Sequence, residues 1–89
     1  MKKHFNIRVF GLVQGVWFRK NTKDQAVDFG LTGFVRNEKD GSVYIEADGN
    51  PAELLSFVEW CKVGPTRAAV EKVIVEEREP IGMQAFHIQ

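Results

Sequence analysis

The chain is poor in cysteine and has no excess of charge of either sign, and each shortage removes a class of function. A single cysteine, Cys61, permits no internal disulfide and no cysteine-built zinc cage, which fits a reducing compartment. Lysine plus arginine equals aspartate plus glutamate at twelve each. A protein that wraps a polyanion carries a basic excess, so no nucleic-acid partner is expected, and any anion site must be local, built from a few aimed groups. No run approaches the roughly 20 apolar residues of a membrane helix. The basic start Met1-Lys2-Lys3-His4 is not followed by an apolar stretch of signal-peptide length. A soluble, cytoplasmic protein without a membrane partner is therefore expected.

What is present is the composition of an ordinary globular protein, 44% hydrophobic and 27% charged. Eighty-nine residues are too few to divide into two useful cores, so 1–89 is expected to be one domain. Phe5-Asn6-Ile7-Arg8-Val9 alternates as a half-buried strand ending near Gly11. Leu12 to Arg19 reads as a loop, and helical periodicity runs from about Lys20 to Phe29, with Thr22, Ala26 and Phe29 on one face and Gly30 as the stop.

Gly33 to Asn37 is a second strand, and Glu38-Lys39-Asp40-Gly41 a hairpin turn. The third strand alternates Val43, Ile45 and Ala47 against Tyr44, Glu46 and Asp48. Asn50, Pro51 and Glu53 form the pattern of a capped helix start, with Asn50 as cap and Glu53 in the reciprocal position. That helix should carry Leu54, Leu55, Phe57, Val58 and Cys61 inward and end near Val63, before Gly64-Pro65. Val70 to Glu77 is a fourth strand, and Phe86-His87-Ile88 a short fifth.

The order is β-α-β-β-α-β plus a short final strand. Two right-handed crossovers joined by a hairpin predict an α+β, ferredoxin-like split β-α-β: one mainly antiparallel sheet with both helices on one face. That topology makes the first two strands parallel, with the third between them. The loop after the first strand and the end of the second then emerge at one edge of the sheet. They stand two strand spacings apart, about 10 Å, which a long side chain can cross.

Two segments can carry chemistry there. In Gly11-Leu12-Val13-Gln14-Gly15-Val16-Trp17-Phe18-Arg19, a glycine lets successive N–H groups turn inward, and the following helix adds its own unpaired amides. Arg19 sits where its guanidinium can close over the same cavity and hold two phosphate oxygens. Taken alone, the pattern also suits an ordinary crossover loop with a surface arginine. The loop is not Gly-x-x-x-x-Gly-Lys-Ser/Thr, has no Cys, Ser or Thr to accept a phosphoryl group, and has no Asp or Glu to hold magnesium. In Gly33 to Gly41, Asn37 ends the second strand on the cradle's side. Its amide can hold a water in one orientation, although an asparagine before a turn also commonly bonds its own backbone.

Val9-x-Gly11-x-Val13-Gln14-Gly15-Val16-x-Phe18-Arg19 resembles the first signature of the acylphosphatase family. Gly33-Phe34-Val35-Arg36-Asn37-x-x-x-Gly41-x-Val43, followed by Gly49, resembles its second. Gly64-Pro65 with Ala68 and Val70 resembles the family's loop before its fourth strand, and Phe34 stands where many members carry Trp. The resemblance covers essentially the whole chain. It implies a ferredoxin-like enzyme that hydrolyses the carboxyl–phosphate bond of a small acyl phosphate without metal, cofactor or covalent intermediate. It further implies that Arg19 and the amides of Gln14, Gly15, Val16, Trp17, Phe18 and Arg19 bind phosphate, a site that inorganic phosphate or sulfate can also occupy. Asn37 would position the attacking water. A monomer is expected.

Other residues receive plainer assignments. Cys61 is a core filler; His4 and His87 are incidental surface or edge-strand residues. Trp17 can line the acyl side of the site or simply pack, Trp60 belongs to the core or its rim, and Arg36, Lys39, Lys62 and Arg67 are solvated charges. An RNA-recognition module would share the topology, with Phe10 and Tyr44 facing outward, but the Lys/Arg-Gly-Phe/Tyr run is missing. A metal carrier would need Cys-x-x-Cys in the first loop. A regulatory phosphate binder would lack the need for both Arg19 and Asn37.

Overall fold

The computed structural model describes all 89 residues. Its elements are β1 (Lys3–Leu12), α1 (Phe18–Asp28), β2 (Thr32–Asn37), β3 (Val43–Gly49), α2 (Pro51–Val63), β4 (Ala69–Arg78) and β5 (Phe86–Ile88). Alternation does the sorting on the sheet. Phe5, Ile7 and Val9 of β1 and Val43, Ile45 and Ala47 of β3 all point to one face and are buried there, beneath the helices. The strand order is β4-β1-β3-β2-β5, with every pair antiparallel except β2 with β5. This is the ferredoxin-like arrangement expected from the element order, with β5 added in parallel along the outer edge of β2.

The register fixes the distance that matters for function. Val43 pairs with Val9 on one side and with Asn37 on the other. Val9, three residues before the end of β1, and Asn37, at the end of β2, are thus level, separated by one strand, about 10 Å.

Three local expectations need correction. Helix α1 begins at Phe18, two residues earlier than its periodicity suggests. Phe18 opens the buried stripe continued by Thr22 and Ala26 at a spacing of four, so it belongs to the helix rather than to the loop. In α2, Leu54, Phe57, Val58 and Cys61 form the inward stripe, but Leu55 lies a hundred degrees round from Leu54 and is 60% exposed. Asn50 does occupy the cap position with Pro51 following, yet its side chain makes no capping hydrogen bond, so the reciprocal arrangement with Glu53 does not form. Cys61 is a core filler as expected, and burial pushes its thiol pKa up.

The largest departure is His4. It is no surface residue: only 1% of it is exposed, on the sheet face opposite the helices. β1 is a central strand, and His4 is flanked there by Asp48 at 2.5 Å, with Asn6 and Glu46 at 2.9 and 3.0 Å from its other ring nitrogen. Asp48 in turn accepts hydrogen bonds from the backbone N–H groups of Ile81, Gly82 and Met83. The pair therefore clamps the irregular segment between β4 and β5 across the sheet.

Candidate active site

The segment leaving β1 is bent by a bulge between Phe10 and Gly11. It then turns at Gly15, with φ 72°, and at Trp17, with φ 63°, before entering α1. Trp17 is the one non-glycine residue with positive φ, a conformation that costs an L-residue about 1–2 kcal/mol. None of the backbone N–H groups from Gln14 to Arg19 donates to an acceptor within the protein. Six consecutive unpaired donors at a helix N-terminus form a concentrated patch of positive partial charge.

Beside this turn lies a cavity of about 430 Å³, lined by Val13, Gly15, Trp17, Phe18, Arg19, Lys20, Asn37 and Ile88. Arg19 and Asn37 thus meet across the sheet edge in one hollow, together with four of the turn's residues. Gln14 and Val16 do not contribute to the wall. The Asn37 side chain is exposed and hydrogen-bonded to no protein group. Instead, the turn is closed by other groups: Glu38 N–H donates to the Ser42 carbonyl at 2.8 Å, and Asp40 accepts from both the N–H and the hydroxyl of Ser42. Those bonds hold the Asp40 carboxyl below its usual range. The amide of Asn37 is therefore free for a ligand or a water.

Sequence alone did not reveal three contributions. The Gln14 side chain donates from Nε2 to the carbonyls of Glu38 and Ser42, at 2.8 and 2.9 Å, and so ties the turn before α1 to the hairpin that carries Asn37. β5 supplies the Ile88 wall, and the Gln89 carbonyl accepts from Arg19 Nη1 at 2.9 Å, fixing one side of the guanidinium. Lys20 adds a second cation to the rim while its ammonium pairs with Asp24 at 3.0 Å. A glutamine inside a conspicuous turn hints at a tether; nothing in the sequence says which edge β5 joins.

The opposite sheet face is committed elsewhere. Arg8 and Arg36 both lie over the Tyr44 ring, with Cζ at 4.7 and 4.8 Å from its centroid, and both pair with Glu38. The Arg36 hydrogen bond, with help from Arg8, holds the Glu38 carboxyl below its usual range. Burial, and donation of its hydroxyl to Glu46, push Tyr44 up to about 12. Phe10 and Tyr44 do face outward, but Lys72 covers Phe10, and the two arginines cover Tyr44. No group of three His, Cys, Asp or Glu side chains is arranged so that it could hold a metal ion, the His4–Asp48–Glu46 cluster included, and no helix is long and apolar enough to cross a membrane.

Unpaired amides, a half-anchored guanidinium and a free carboxamide around one hollow suit a tetrahedral oxyanion and a water beside it. Comparison with known proteins points the same way. The acylphosphatase family model matches residues 5–88. A curated acylphosphatase of Marinobacter nauticus is 47% identical over 73 residues, spanning 82% of this chain and 79% of that protein. Among solved structures, an acylphosphatase from Coxiella burnetii superposes with a TM-score of 0.96 at 33% identity, covering 99% of this chain and 93% of the other. One from Bacillus subtilis gives 0.95 at 39% identity, covering 100% and 99%.

Proposed function

We propose, for a chain that belongs to the acylphosphatase family and is an acylphosphatase enzyme, a division of labour in which Arg19 and the loop amides hold the phosphoryl group and Asn37 aims the water. The observation that carries this reading is the meeting of Arg19, Asn37 and the turn residues Gly15, Trp17 and Phe18 in one cavity.

The substrate has an unusually good leaving group, a carboxylate whose conjugate acid has a pKa of about 4 to 5. No general acid is needed for its departure. Phosphoryl transfer then depends on placing the water in line and stabilising charge on the three equatorial oxygens. The amides of Gln14 to Arg19 and the Arg19 guanidinium supply fixed dipoles and one full charge for those oxygens. They act as preorganised donors that need no rearrangement during reaction. Asn37 holds the water by its free amide on the other side. The water attacks phosphorus, the bond from phosphorus to the acyl oxygen breaks, and the products are a carboxylate and inorganic phosphate. The water's proton passes to a phosphate oxygen of the substrate.

The same proposal makes the protein a single-domain, cytoplasmic monomer that works on a small acyl phosphate without metal, cofactor or nucleic acid. Incubation of the purified protein with benzoyl phosphate, with and without EDTA, tests it by following substrate loss. Hydrolysis should persist in EDTA, and inorganic phosphate should inhibit competitively by occupying the cradle. Arg19→Ala should lose both binding and turnover, together worth several kcal/mol. Asn37→Ala should lower kcat with little change in KM. Either variant keeping most of its activity removes the role given to that residue.

A further inference from the structure

The proposed division of labour leaves one buried polar cluster unused. His4 and Asp48 lie at the end of the sheet remote from the cavity. Asp48 pairs with His4 on one side and with Thr32 on the other, and Thr32 begins the strand that Asn37 ends. Five residues of extended chain, about 17 Å, separate that row from Asn37. Burying an imidazole and a carboxylate is costly unless each is fully bonded, and the apolar core lies on the other face of the sheet.

The cluster holds a piece of main chain. Asp48, 2% exposed, accepts from His4 Nδ1 on one oxygen and from the N–H groups of Gly82 and Met83, at 2.7 and 3.2 Å, on the other. Ile81 N–H lies 3.2 Å from both oxygens. The left-handed φ of 84° at Gly82 turns these three consecutive amides inward, so that they form a nest around the carboxylate. His4 is fixed in turn by Asn6 and Glu46, both at its Nε2, so the carboxylate is held in one orientation.

That nest stands at the entrance to β5. Residues 79–85 are exposed apart from the half-buried Met83, so packing does not fix their path and the bonds to Asp48 do. Two residues after Met83, the Ala85 carbonyl accepts from Gly33 N–H at 2.9 Å, and Phe86, His87 and Ile88 then pair in parallel with Gly33, Phe34 and Val35. β5 therefore begins at the remote end of the sheet and runs beside β2 toward the cavity. There Gln89 N–H donates to the Val35 carbonyl, and the Gln89 carbonyl receives Arg19 Nη1. An edge strand of three residues has few bonds of its own to keep its place.

We infer that His4 and Asp48 are positioning residues for the hydrolysis proposed above, given the phosphate-holding role of Arg19 in it. By fixing Ile81–Met83 they set the place of β5, and through the Gln89 carbonyl they orient the Arg19 guanidinium. Neither touches the substrate.

Two variants test this from opposite sides of the nest. Asp48→Ala removes the acceptor. Gly82→Ala strains the left-handed turn, while its added Cβ meets nothing within 4 Å, so it loosens the nest at an exposed position and leaves the buried pair intact. Each should raise KM for benzoyl phosphate, and the inhibition constant of inorganic phosphate, about threefold, with a smaller change in kcat. His4→Leu should act in the same direction, and His4→Asn, which keeps a donor near the place of Nδ1, should restore part of the loss.

Effects that share one route do not add. Gln89→Pro combined with Gly82→Ala or Asp48→Ala should therefore have a KM no higher than Gln89→Pro alone. Nitrogen-15 relaxation at Arg19 Nε reads the same link without turnover, and its motion should increase in Asp48→Ala, Gly82→Ala and His4→Leu. KM factors that multiply in the double variants overturn the inference, as does an Arg19 side chain that stays as ordered as in the natural protein. Should Asp48→Ala fail to fold, Gly82→Ala decides. A natural protein that leaves benzoyl phosphate intact would sink the proposed reaction, and the relaxation measurement would still decide whether His4 and Asp48 order Arg19.

Discussion

Arg19 donates through Nη1 to the main-chain carbonyl of Gln89 at 2.9 Å. The guanidinium that lines the cavity is thereby steered by the residue just after β5, at the far end of the sequence. Gln89 is itself held by its N–H, which donates to the Val35 carbonyl at 2.8 Å. Gln89→Pro removes that N–H and shifts the carbonyl away from Arg19. The freed guanidinium must then be ordered by each substrate, a cost of about 1 kcal/mol. KM for benzoyl phosphate should rise about fivefold with a smaller change in kcat, and thermal stability should hardly move.

Gln14 is the tie between the cradle and the Asn37 hairpin, through carbonyl contacts at 2.8 and 2.9 Å. Gln14→Ala leaves two carbonyls without this donor and lets the two halves of the site separate. Urea unfolding should show a loss of about 1–2 kcal/mol. Turnover should fall about tenfold, because a small misplacement of the water is costly.

Trp17→Gly relieves the left-handed backbone at φ 63°, and the exposed indole gives up little packing. Glycine also suits the position before a helix. Stability in urea should rise by about 1 kcal/mol. Affinity for substrates with bulky acyl groups should fall. A variant that is less stable would show that the ring, and not the turn, dominates there.

Asp48, buried and hydrogen-bonded, should contribute to the acid limb of the stability profile. Burial alone would raise its pKa, but the His4 hydrogen bond and the N–H groups of Gly82, Met83 and Ile81 outweigh burial and hold it below the ordinary 3.8. A carboxyl depressed in the folded state stabilises fully above its unfolded pKa, and the benefit is lost as pH falls through the folded one. Urea midpoints measured downward from pH 5 should therefore drop below about pH 4, and Asp48→Asn should be less stable at pH 5 but flatter across that window. An unchanged slope in Asp48→Asn would assign the acid limb to other carboxylates.

The legible parts of this protein are those written locally. Alternation in β1 and β3, the Asp40-Gly41 turn and the glycine-bearing run up to Arg19 each carry their own signal. The topology then puts Asn37 opposite the cradle, as the Val9–Val43–Asn37 row shows. What is not legible depends on partners remote in sequence. His4 is buried by Asp48, 44 residues away, and by a segment that Asp48 gathers from 33 to 35 residues further on. Three residues of β5 say nothing about which edge they join, so the support that Arg19 receives from Gln89 has no local trace. Leu55 shows the opposite failure: its hydrophobicity suggests burial, and its angle on the helix denies it.

The row through Val43 also bears on when the enzyme comes into being. The segments bearing Arg19 and Asn37 precede β3 in the chain, yet they reach their working separation only once Val43 has slid between Val9 and Asn37 as a spacer. A ribosome-bound chain that has emerged only through the hairpin turn holds both Arg19 and Asn37 but not yet the cavity that they line. Recovery of hydrolysis after denaturation should thus keep pace with insertion of the central strand and never run ahead of it.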